Sequence, residues 1–372
     1  MHVVIPVSDD PWHPRPGGIV AYSLGLATYL SNEGVDVEFL SVGGGDASSA
    51  IRTTPVAARI RGEIGYARAL SAYSRRRSWD SDTIVVANTE LYAWSMRRAQ
   101  SRLRFVLVSH GPTLPTLSSR RPLAAAAFRV LVEPRTVRLL EAVIAIDREA
   151  EDYFARRYPT ADVRRIALGV DTDHFRLVNR AESRMKWSLD DELGLLVAGR
   201  IAPIKNPALA AAAFERVVER KPDAVLMVAG VGPASRPYRR IQERLGNRRV
   251  RLLGLVARTQ LPSLYSAADG LLLTSKQEQF PTVVVESLGC GTPVFATDVG
   301  DVPLILDRRE AGEICRPTPD AFAEKVLARL PESTVVRDSD LAIRRETAER
   351  YSWKQIGPKV LSVLRGDRPR KD

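Results

Sequence analysis

The sequence is poor in cysteine and has no long apolar run, and each absence excludes a class of protein. Only two cysteines, Cys290 and Cys315, occur in 372 residues. They are too few for a disulfide framework and lack the spacing of metal ligands. Cys290, between two glycines, is expected to be a small buried residue. No stretch reaches the roughly 18 continuous apolar residues of a membrane-spanning helix, because arginine interrupts even the segment PLAAAAFRVLV.

The N-terminus also lacks the features of a signal peptide. MHVVIPVSDD has no basic segment followed by an apolar run and a cleavage site, so it predicts a first strand. We therefore expect a cytoplasmic protein, and peripheral attachment to the inner face of a membrane stays open. An apolar content of 45% and a charged content of 27% are typical of a soluble globular protein. A chain of this length suits two domains better than one.

The net charge of +11 favours anionic partners such as nucleotides, phospholipid headgroups or nucleic acid. Nucleic acid is the weakest of these, because no zinc-finger, RNP-type or helix-turn-helix pattern is visible. Two Arg-rich stretches, 59–79 and 120–140, are predicted to be helical. The simpler interpretation of their arginines is a solvated face. Apolar neighbours such as Leu131 and Leu139 would also suit an anionic membrane surface.

The first half of the chain alternates short apolar strands with helices, and this alternation predicts a doubly wound, mainly parallel sheet. Gly17 and Gly18 open a predicted helix from Ile19 to Glu33 and would let a phosphate approach the backbone, although an ordinary turn is the alternative. His110 ends a strand, where such sheets bind ligands, but a structural role is commoner for a lone histidine. The predicted strands are 2–7, 35–40, 84–87, 104–109, 142–146 and 163–167.

The pattern starts again at Leu193 to Ala198, so a domain boundary falls near residues 176–190. Gly199 and Arg200 follow this strand directly, and Lys205 precedes the next helix. The carboxyl end of a strand and the start of a helix together suit a phosphate, and both basic side chains can reach the same anion. Further strands are predicted at 225–230, 250–253, 271–274 and 294–296, with a helix at 260–268.

Residues 271–306 carry the most specific pattern. A strand at 271–274 leads into a polar loop with Glu278, and Pro281 is predicted to open a helix that contains Glu286. The free N–H groups of that helix would suit an anion. Such a strand, loop, helix and strand unit places its ligand at the carboxyl end of the strands.

The order of residues in this stretch resembles the donor-sugar motif of the retaining glycosyltransferases of family 4, which have the GT-B fold. Gln279 stands where the family usually has glycine, and Leu168 where its interdomain segment has asparagine. The similarity spans almost the whole chain and is densest from 199 to 306. Its motifs are Glu278-x-Phe280-Pro281, Glu286, Gly291-Thr292-Pro293-Val294, Thr297-Asp298-Val299-Gly300, Gly199-Arg200 with Lys205, Ser109-His110-Gly111 and Tyr351-Ser352-Trp353.

The resemblance implies an α/β protein with two Rossmann-like doubly wound domains facing across a cleft. Residues 1–175 would form an N-terminal acceptor-binding domain, and residues 176–350 a C-terminal domain that binds the nucleotide sugar. Residues 351–372 would form a last helix returning to the first domain, followed by a charged tail. Ser352 is predicted to cap that helix.

The resemblance also implies an enzyme. It would move a hexose or N-acetylhexosamine, with retention and without a metal, from a nucleotide-diphosphate sugar, most simply a UDP sugar. The acceptor would be lipid-linked, phosphorylated or otherwise anionic. Two alternatives stay open: the same chemistry on a soluble metabolite or polysaccharide, and a non-catalytic nucleotide-sugar-binding or membrane-scaffold protein. No cofactor or metal is expected, because Asp171-Thr172-Asp173 has the letters of a D-x-D motif but lies in the predicted hinge.

Carried over to this sequence, the catalytic roles fall to His110, Arg200, Lys205 and Glu278. Two cations and a helix N-terminus would stabilise the charge that develops on the leaving diphosphate. Glu278 would hold hydroxyls of the sugar, and Glu286 those of the ribose. The implied donor-binding residues are Gly17, Gly18, Gly199, Arg200, Lys205, Leu253, Gly254, Val256, Glu278, Phe280, Pro281, Thr282 and Glu286.

Overall fold

A computed structural model of the protein describes residues 1–12, 17–43, 51–57, 62–97, 103–110, 126–232, 234–329 and 338–367. The chain forms two compact units. Unit 1 combines Met1–Gly169 with Trp353–Asp372, and unit 2 is Val170–Ser352. The assignment of acceptor binding to residues 1–175 and of donor binding to residues 176–350 stays a prediction.

Unit 1 is built on a parallel sheet of seven strands in the order β3-β2-β1-β4-β5-β6-β7. The order reverses between β1 and β4, so the loops that follow these two strands border a crevice. The doubly wound sheet predicted for this half is confirmed. The strands are β1 His2–Pro6, β2 Asp36–Val42, β3 Arg52–Ala57, β4 Thr83–Ala87, β5 Arg104–Ser109, β6 Ala142–Ala145 and β7 Val163–Arg165.

Strand β3 was not predicted from the sequence. It lies at the edge of the sheet and contains Pro55, which removes one backbone donor. No residue of the strand is buried, so it lacks the apolar run that marks the central strands. The edge position explains both features.

The helices of unit 1 alternate with the strands along the chain. The first Arg-rich stretch contains α2, and the second contains a π-helical turn, Phe128–Val132, which runs into α4. Residues 59–61 and 120–125 of these stretches lie outside the described residues. The first helices are α1 Gly18–Asn32, α2 Gly62–Arg76, α3 Glu90–Arg97, α4 Glu133–Val137 and α5 Arg148–Arg157.

Unit 2 repeats the architecture with six parallel strands in the order β10-β9-β8-β11-β12-β13. Here the order reverses between β8 and β11. Strand β13, Gly312–Cys315, was not predicted, because Glu313 interrupts it and leaves no continuous apolar run. The other strands are β8 Gly194–Ala198, β9 Val225–Ala229, β10 Val250–Gly254, β11 Gly270–Leu273 and β12 Val294–Thr297.

Large aromatic side chains fill the core of unit 2. Phe214, Phe295 and Phe322 are completely buried in a cluster between the sheet and its helices. Both cysteines are free and buried, as expected for Cys290. The helices are α6 Arg180–Lys186, α7 Pro207–Arg220, α8 Arg236–Leu245, α9 Leu261–Ala267, α10 Thr282–Gly289, α11 Val302–Ile305, α12 Pro319–Arg329 and α13 Asp338–Glu349. Within the described ranges, no helix is long and apolar enough to cross a bilayer.

The last helix, α14 Trp353–Arg365, belongs to unit 1. The indole of Trp353 lies so close to Gly25 and Gly169 that a Cβ on either glycine would come within 2.5 Å of it. Ser352 precedes the helix, but the predicted capping bond is wrong. Its hydroxyl is buried without a hydrogen-bond partner among the described residues. The backbone of Ser352 instead pairs with Val170 in a parallel bridge, and this pairing fixes its orientation.

Candidate active site

Two loops of unit 2 meet at the carboxyl ends of β8 and β11. The loop after β8 spans residues 199–206, and the loop after β11 spans residues 274–281. Because these neighbouring strands mark the reversal of strand order, the loops border the crevice in which open α/β sheets bind ligands.

A bidentate ion pair joins the two loops. Lys205 Nζ lies 2.6 Å from Oε1 and 2.8 Å from Oε2 of Glu278. The hydroxyl of Ser275 donates to the same Oε1 at 2.5 Å. The Glu278 side chain is 9% exposed and that of Lys205 is 36% exposed, so the pair lies at the floor of the crevice and remains accessible. The structure thus brings together two residues that the sequence singled out separately.

Backbone contacts hold both loops in register. The Thr274 hydroxyl donates to the carbonyls of Lys205 and Asn206 at 3.1 and 3.2 Å. In return, the Lys276 amide donates to the Ile204 carbonyl at 2.8 Å. Asn206 adopts a left-handed conformation, with φ of +49°, where helix α7 begins. These bonds fix the point from which the Lys205 side chain departs.

Gly300 packs directly beneath the loop that carries Glu278. Its φ is +53°, and a Cβ at this position would lie 2.5 Å from the carbonyl oxygens of both Glu278 and Gln279. The neighbouring Asp301 amide donates to the Gln279 carbonyl at 3.2 Å. Only glycine allows the approach without moving the loop. The Gly300 of the sequence motif is therefore a support for Glu278.

Arg200 supplies a second positive charge at the same edge of the sheet. Its side chain is exposed and makes no ion pair with any residue that the structure describes. Arg200 and Lys205 line one small cavity, together with Thr274 and Ser275. Gly199, with φ of +114°, turns the chain sharply out of β8 just before Arg200. Among the residues that the structure describes, this cavity therefore has one cation paired with a carboxylate and one without an ion-pair partner.

Glu286 lies inside α10, as predicted, and has a different partner. The Tyr265 hydroxyl donates to Glu286 Oε2 at 2.9 Å. Burial raises the pKa of Glu286 above its ordinary value, and the hydrogen bonds from Tyr265 and Thr282 and the charge of Arg258 oppose that rise. Tyr265 thus favours the ionised carboxylate in surroundings that otherwise disfavour it.

The start of α10 differs slightly from the prediction. Pro281 is the N-cap, and the helix begins at Thr282. Its first turn carries no acidic side chain, so the partial positive charge of the helix end is not neutralised from within. Phe280 is 6% exposed and packs on the ring of Tyr351 at 5.2 Å. The structure therefore shows Phe280 as a packing residue in the loop.

The segment after β10 lies beside this crevice. Gly254 has φ of +66°, and its carbonyl accepts from the Gly230 amide at 2.7 Å. Leu253 and Val256 are half-buried, while Leu255 between them is 46% exposed. The predicted base-reading segment therefore presents an apolar side chain to solvent.

The remaining predicted site residues belong to unit 1. His110 directly follows β5, and its Nε2 lies 3.0 Å from Oδ1 of Asn88. Burial lowers the pKa of His110 to about 4, so the imidazole is neutral near pH 7. Gly17 and Gly18 start α1 without left-handed backbone, and a Cβ on either would meet no described atom within 4 Å. The packing of unit 1 therefore does not explain why glycine stands there.

Sequence reasoning did not predict three residues that contact the predicted site residues: Ser275, Asn88 and Tyr265. Ser275 and Asn88 could have been found, because each follows closely after a strand at a reversal of strand order. Tyr265 gives no such signal, since it lies in the middle of α9 and reaches Glu286 only through the packing of α9 and α10.

The arrangement in unit 2 brings two cations, a carboxylate and a helix N-terminus to one crevice, a combination that suits a ligand carrying both anionic groups and hydroxyls. Comparison with known families makes this more specific. A family model described as Glycosyltransferase Family 4 matches residues 16–174, and one described as Glycosyl transferases group 1 matches residues 179–339. The chain belongs to this family of glycosyltransferases, as the resemblance predicted.

Curated relatives include enzymes named D-inositol 3-phosphate glycosyltransferase. The one from Saccharomonospora viridis is 32% identical over 253 residues, covering 64% of this chain and 58% of that protein. The one from Rhodococcus jostii is 31% identical over 255 residues, covering 64% of this chain and 55% of that protein. The match thus spans less than two thirds of the length of these relatives.

Solved structures confirm the GT-B fold with two Rossmann-like domains. Sucrose-phosphate synthase from Thermosynechococcus elongatus aligns with a TM-score of 0.77 at 21% identity, covering 98% of both chains. HepE from Anabaena, in complex with UDP-glucose, aligns with a TM-score of 0.75 at 18% identity, covering 98% of this chain and 99% of that chain. At these identities the likeness concerns the fold alone.

Proposed function

We propose that this protein is a retaining glycosyltransferase that moves a hexose or N-acetylhexosamine from a nucleotide-diphosphate sugar. The observation that carries this proposal is the Lys205–Glu278 ion pair at the carboxyl ends of β8 and β11, beside the exposed side chain of Arg200. A cation for phosphate and a carboxylate for hydroxyls, held at one point, suit a sugar attached to a diphosphate.

The same residues supply the chemistry. As the bond between the anomeric carbon and the leaving phosphate oxygen breaks, negative charge grows on the diphosphate. Arg200, Lys205 and the N-terminus of α10 stabilise that charge, so the reaction is metal-independent. The acceptor oxygen bonds to the anomeric carbon on the face that the phosphate leaves, and the acceptor proton passes to the phosphate oxygen. Glu278 is held by Lys205 and Ser275, so it orients the sugar and does not attack it.

UDP is the nucleotide we propose. HepE, which shares the fold, was solved with UDP, with UDP and glucose, and with UDP-glucose. Glu286 would accept the ribose hydroxyls, and the backbone of residues 253–256 would read the base.

The proposed acceptor is phosphorylated or otherwise anionic. Support comes from the names of the relatives, which act on D-inositol 3-phosphate, and from the +11 charge of the chain. A lipid-linked acceptor fits the same chemistry. A soluble uncharged metabolite or a polysaccharide is the alternative, and a panel of sugar phosphates and their dephosphorylated forms separates the two.

Unit 1 has a surface that would suit anionic lipid. Arg75 and Arg76 are exposed at the end of α2, and Ile64 on the same helix is 52% exposed. Val130 and Leu131 in the π-helical turn are 65% and 54% exposed. We include peripheral membrane contact in the proposal. It fails if the protein does not sediment with vesicles of acidic phospholipid at low salt.

The enzyme is distinguished from a non-catalytic binder by donor hydrolysis. We expect UDP and one UDP sugar to raise the melting temperature more than the GDP and ADP compounds do, and we expect slow release of that sugar in the presence of a chelator. Proton NMR of the freshly released sugar reports its anomeric configuration. Tight binding of a nucleotide sugar with no release of sugar would support the non-catalytic alternative. If the chelator abolishes sugar release, the proposal that the reaction needs no metal is wrong.

Donor affinity should depend on pH through Glu286. The carboxylate must be ionised to accept two ribose hydroxyls, and its raised pKa means that it gains a proton at a higher pH than an ordinary glutamate. The KM for donor should therefore rise as the pH falls into the mildly acidic range. Tyr265→Phe removes a bond that favours the ionised form, so this rise should begin at a higher pH, with kcat little changed. Superimposable KM profiles for the two proteins would contradict this role.

A further inference from the structure

A buried polar chain runs from β1 and α1 to His110 in unit 1. Asn88 directly follows β4 and is 4% exposed. Its Oδ1 lies 3.0 Å from Nε2 of His110, and its Nδ2 lies 3.0 Å from the hydroxyl of Ser23, which is completely buried. Nδ2 also lies 3.5 Å from the carbonyl of Pro6, at the end of β1. The chain therefore crosses the point where the strand order of this sheet reverses.

The partners of the Asn88 amide determine where the proton on His110 is. The carbonyl of Pro6 can only accept, so the NH₂ group of Asn88 must be on that side and its oxygen must face the imidazole. That oxygen also can only accept, so His110 Nε2 carries the hydrogen. In a neutral imidazole the other nitrogen, Nδ1, is then an acceptor.

The surroundings of His110 keep the ring neutral. The rings of Tyr22 and His110 pack in a T-shaped contact with 5.3 Å between centroids. In the described part of the chain, no carboxylate lies within ion-pair distance of His110. Burial without a negative partner disfavours the imidazolium, in agreement with the lowered pKa of His110.

We propose that Asn88 is a positioning residue that holds His110 as the neutral tautomer with hydrogen on Nε2, so that Nδ1 accepts a hydrogen bond from a substrate hydroxyl. The substrate part of this inference rests on the proposed glycosyltransferase function, whereas the tautomer does not. The alternative is that Asn88 only satisfies buried polar groups. That role would affect stability and would leave the state of His110 irrelevant to the reaction.

Nitrogen-15 NMR of the imidazoles of the full chain tests the tautomer. The chain has four histidines, and His110→Gln identifies the signal of His110. We expect the neutral Nε2–H pattern at pH 7. A Nδ1–H pattern, or an imidazolium pattern, would overturn the proposal whether or not the protein hydrolyses a nucleotide sugar.

Asn88→Asp then links the tautomer to turnover. The aspartate still accepts from Nε2–H, but its negative charge stabilises the imidazolium, so Nδ1 becomes a donor. We expect the NMR pattern to change to imidazolium and kcat for sugar release to fall roughly ten-fold to a hundred-fold, the effect of losing one well-placed hydrogen bond. The Kd for UDP alone should not change. Asn247→Asp makes the same substitution at an exposed position in unit 2 and should change neither quantity.

The outcomes distinguish the role of Asn88 in setting the His110 tautomer from the role of Nδ1 in binding substrate. An imidazolium in Asn88→Asp with unchanged kcat would overturn the substrate role of Nδ1. If Asn88→Asp does not fold, Asn88→Ser replaces the amide oxygen, which can only accept, by a shorter hydroxyl that can donate or accept, without adding charge. It should give a mixture of tautomers with a reduced kcat. A pure Nε2–H pattern in Asn88→Ser would overturn the positioning role. Absence of sugar release from the wild type, with the Nε2–H pattern present, would instead remove the proposed function.

Discussion

Lys205→Ala is expected to lower the rate of donor hydrolysis by about 100-fold to 1,000-fold, the usual effect of removing one fixed donor to developing negative charge. The backbone at Lys205 is held to the second loop, because the Lys205 carbonyl accepts from Thr274 and the Ile204 carbonyl accepts from the Lys276 amide. In Lys205→Ala, water or a mobile cation cannot reproduce the fixed position of the ammonium group. The measurement is sugar release at saturating and at low donor concentration.

Lys276→Ala is the matched control. Lys276 is exposed on the adjoining loop, so its substitution removes the same charge from the same edge of the sheet without touching the ion pair. We expect its effect to be within a few-fold of the wild type. Equal losses in the two variants would show that general electrostatic attraction is responsible, and unchanged turnover in Lys205→Ala would refute the mechanism.

The stability of Lys205→Ala needs separate treatment. The substitution leaves the Glu278 carboxylate, which is 9% exposed, with Ser275 as its remaining partner. Adding Glu278→Gln removes the stranded charge, so the double variant should recover melting temperature but not activity. Recovery of activity together with stability would mean that Lys205 acts only by holding the loop.

Gly300→Ala is expected to have the second largest effect, a loss of activity of the order of 100-fold with a moderate fall in melting temperature. A Cβ there would lie 2.5 Å from two backbone carbonyls, so the loop with Glu278 must move, and misplacement by about 1 Å can cost that factor. The left-handed backbone itself adds roughly 1–2 kcal/mol. Donor hydrolysis and thermal unfolding measured together separate the two contributions.

Gly246→Ala is the control for the loss of stability that comes from placing alanine at a positive φ alone. Gly246 has φ of +84°, and a Cβ there would meet no described atom within 4 Å. This variant should lose stability because alanine is strained at a positive φ, and it should keep its activity. If Gly300→Ala is also fully active, donor hydrolysis does not depend on the present position of the loop that carries Glu278.

The sequence predicted that Lys205 and Glu278 each lie near the end of a strand, but it did not predict their ion pair. Apolar runs and helix-start signals mark those ends. Their ion pair depends on β8 and β11 being neighbours, although β9 and β10 come between them in the chain. Strand order is decided by packing over the whole sheet, and no local pattern encodes it.

Contacts with residues distant in sequence also explain the wrong capping prediction for Ser352 and the features that were not predicted. Ser352 has the residue type and position of a helix cap, yet pairing with Val170 turned its hydroxyl into the interior. Strand β3 was missed because Pro55 and its partial exposure hide the strand pattern. Tyr265 was missed because its contact with Glu286 joins two helices. In each case a partner distant in sequence decided the outcome.

Because Lys205 and Glu278 neutralise each other, a ligand that binds one of these side chains must compete with the other. A phosphate that draws Lys205 away leaves the Glu278 carboxylate, which is 9% exposed, with less compensation. Under the proposed function, a nucleotide sugar offers a phosphate to Lys205 and hydroxyls to Glu278, so it compensates both side chains together. We therefore expect inorganic phosphate and simple sugars to compete poorly with a nucleotide sugar for this ion pair.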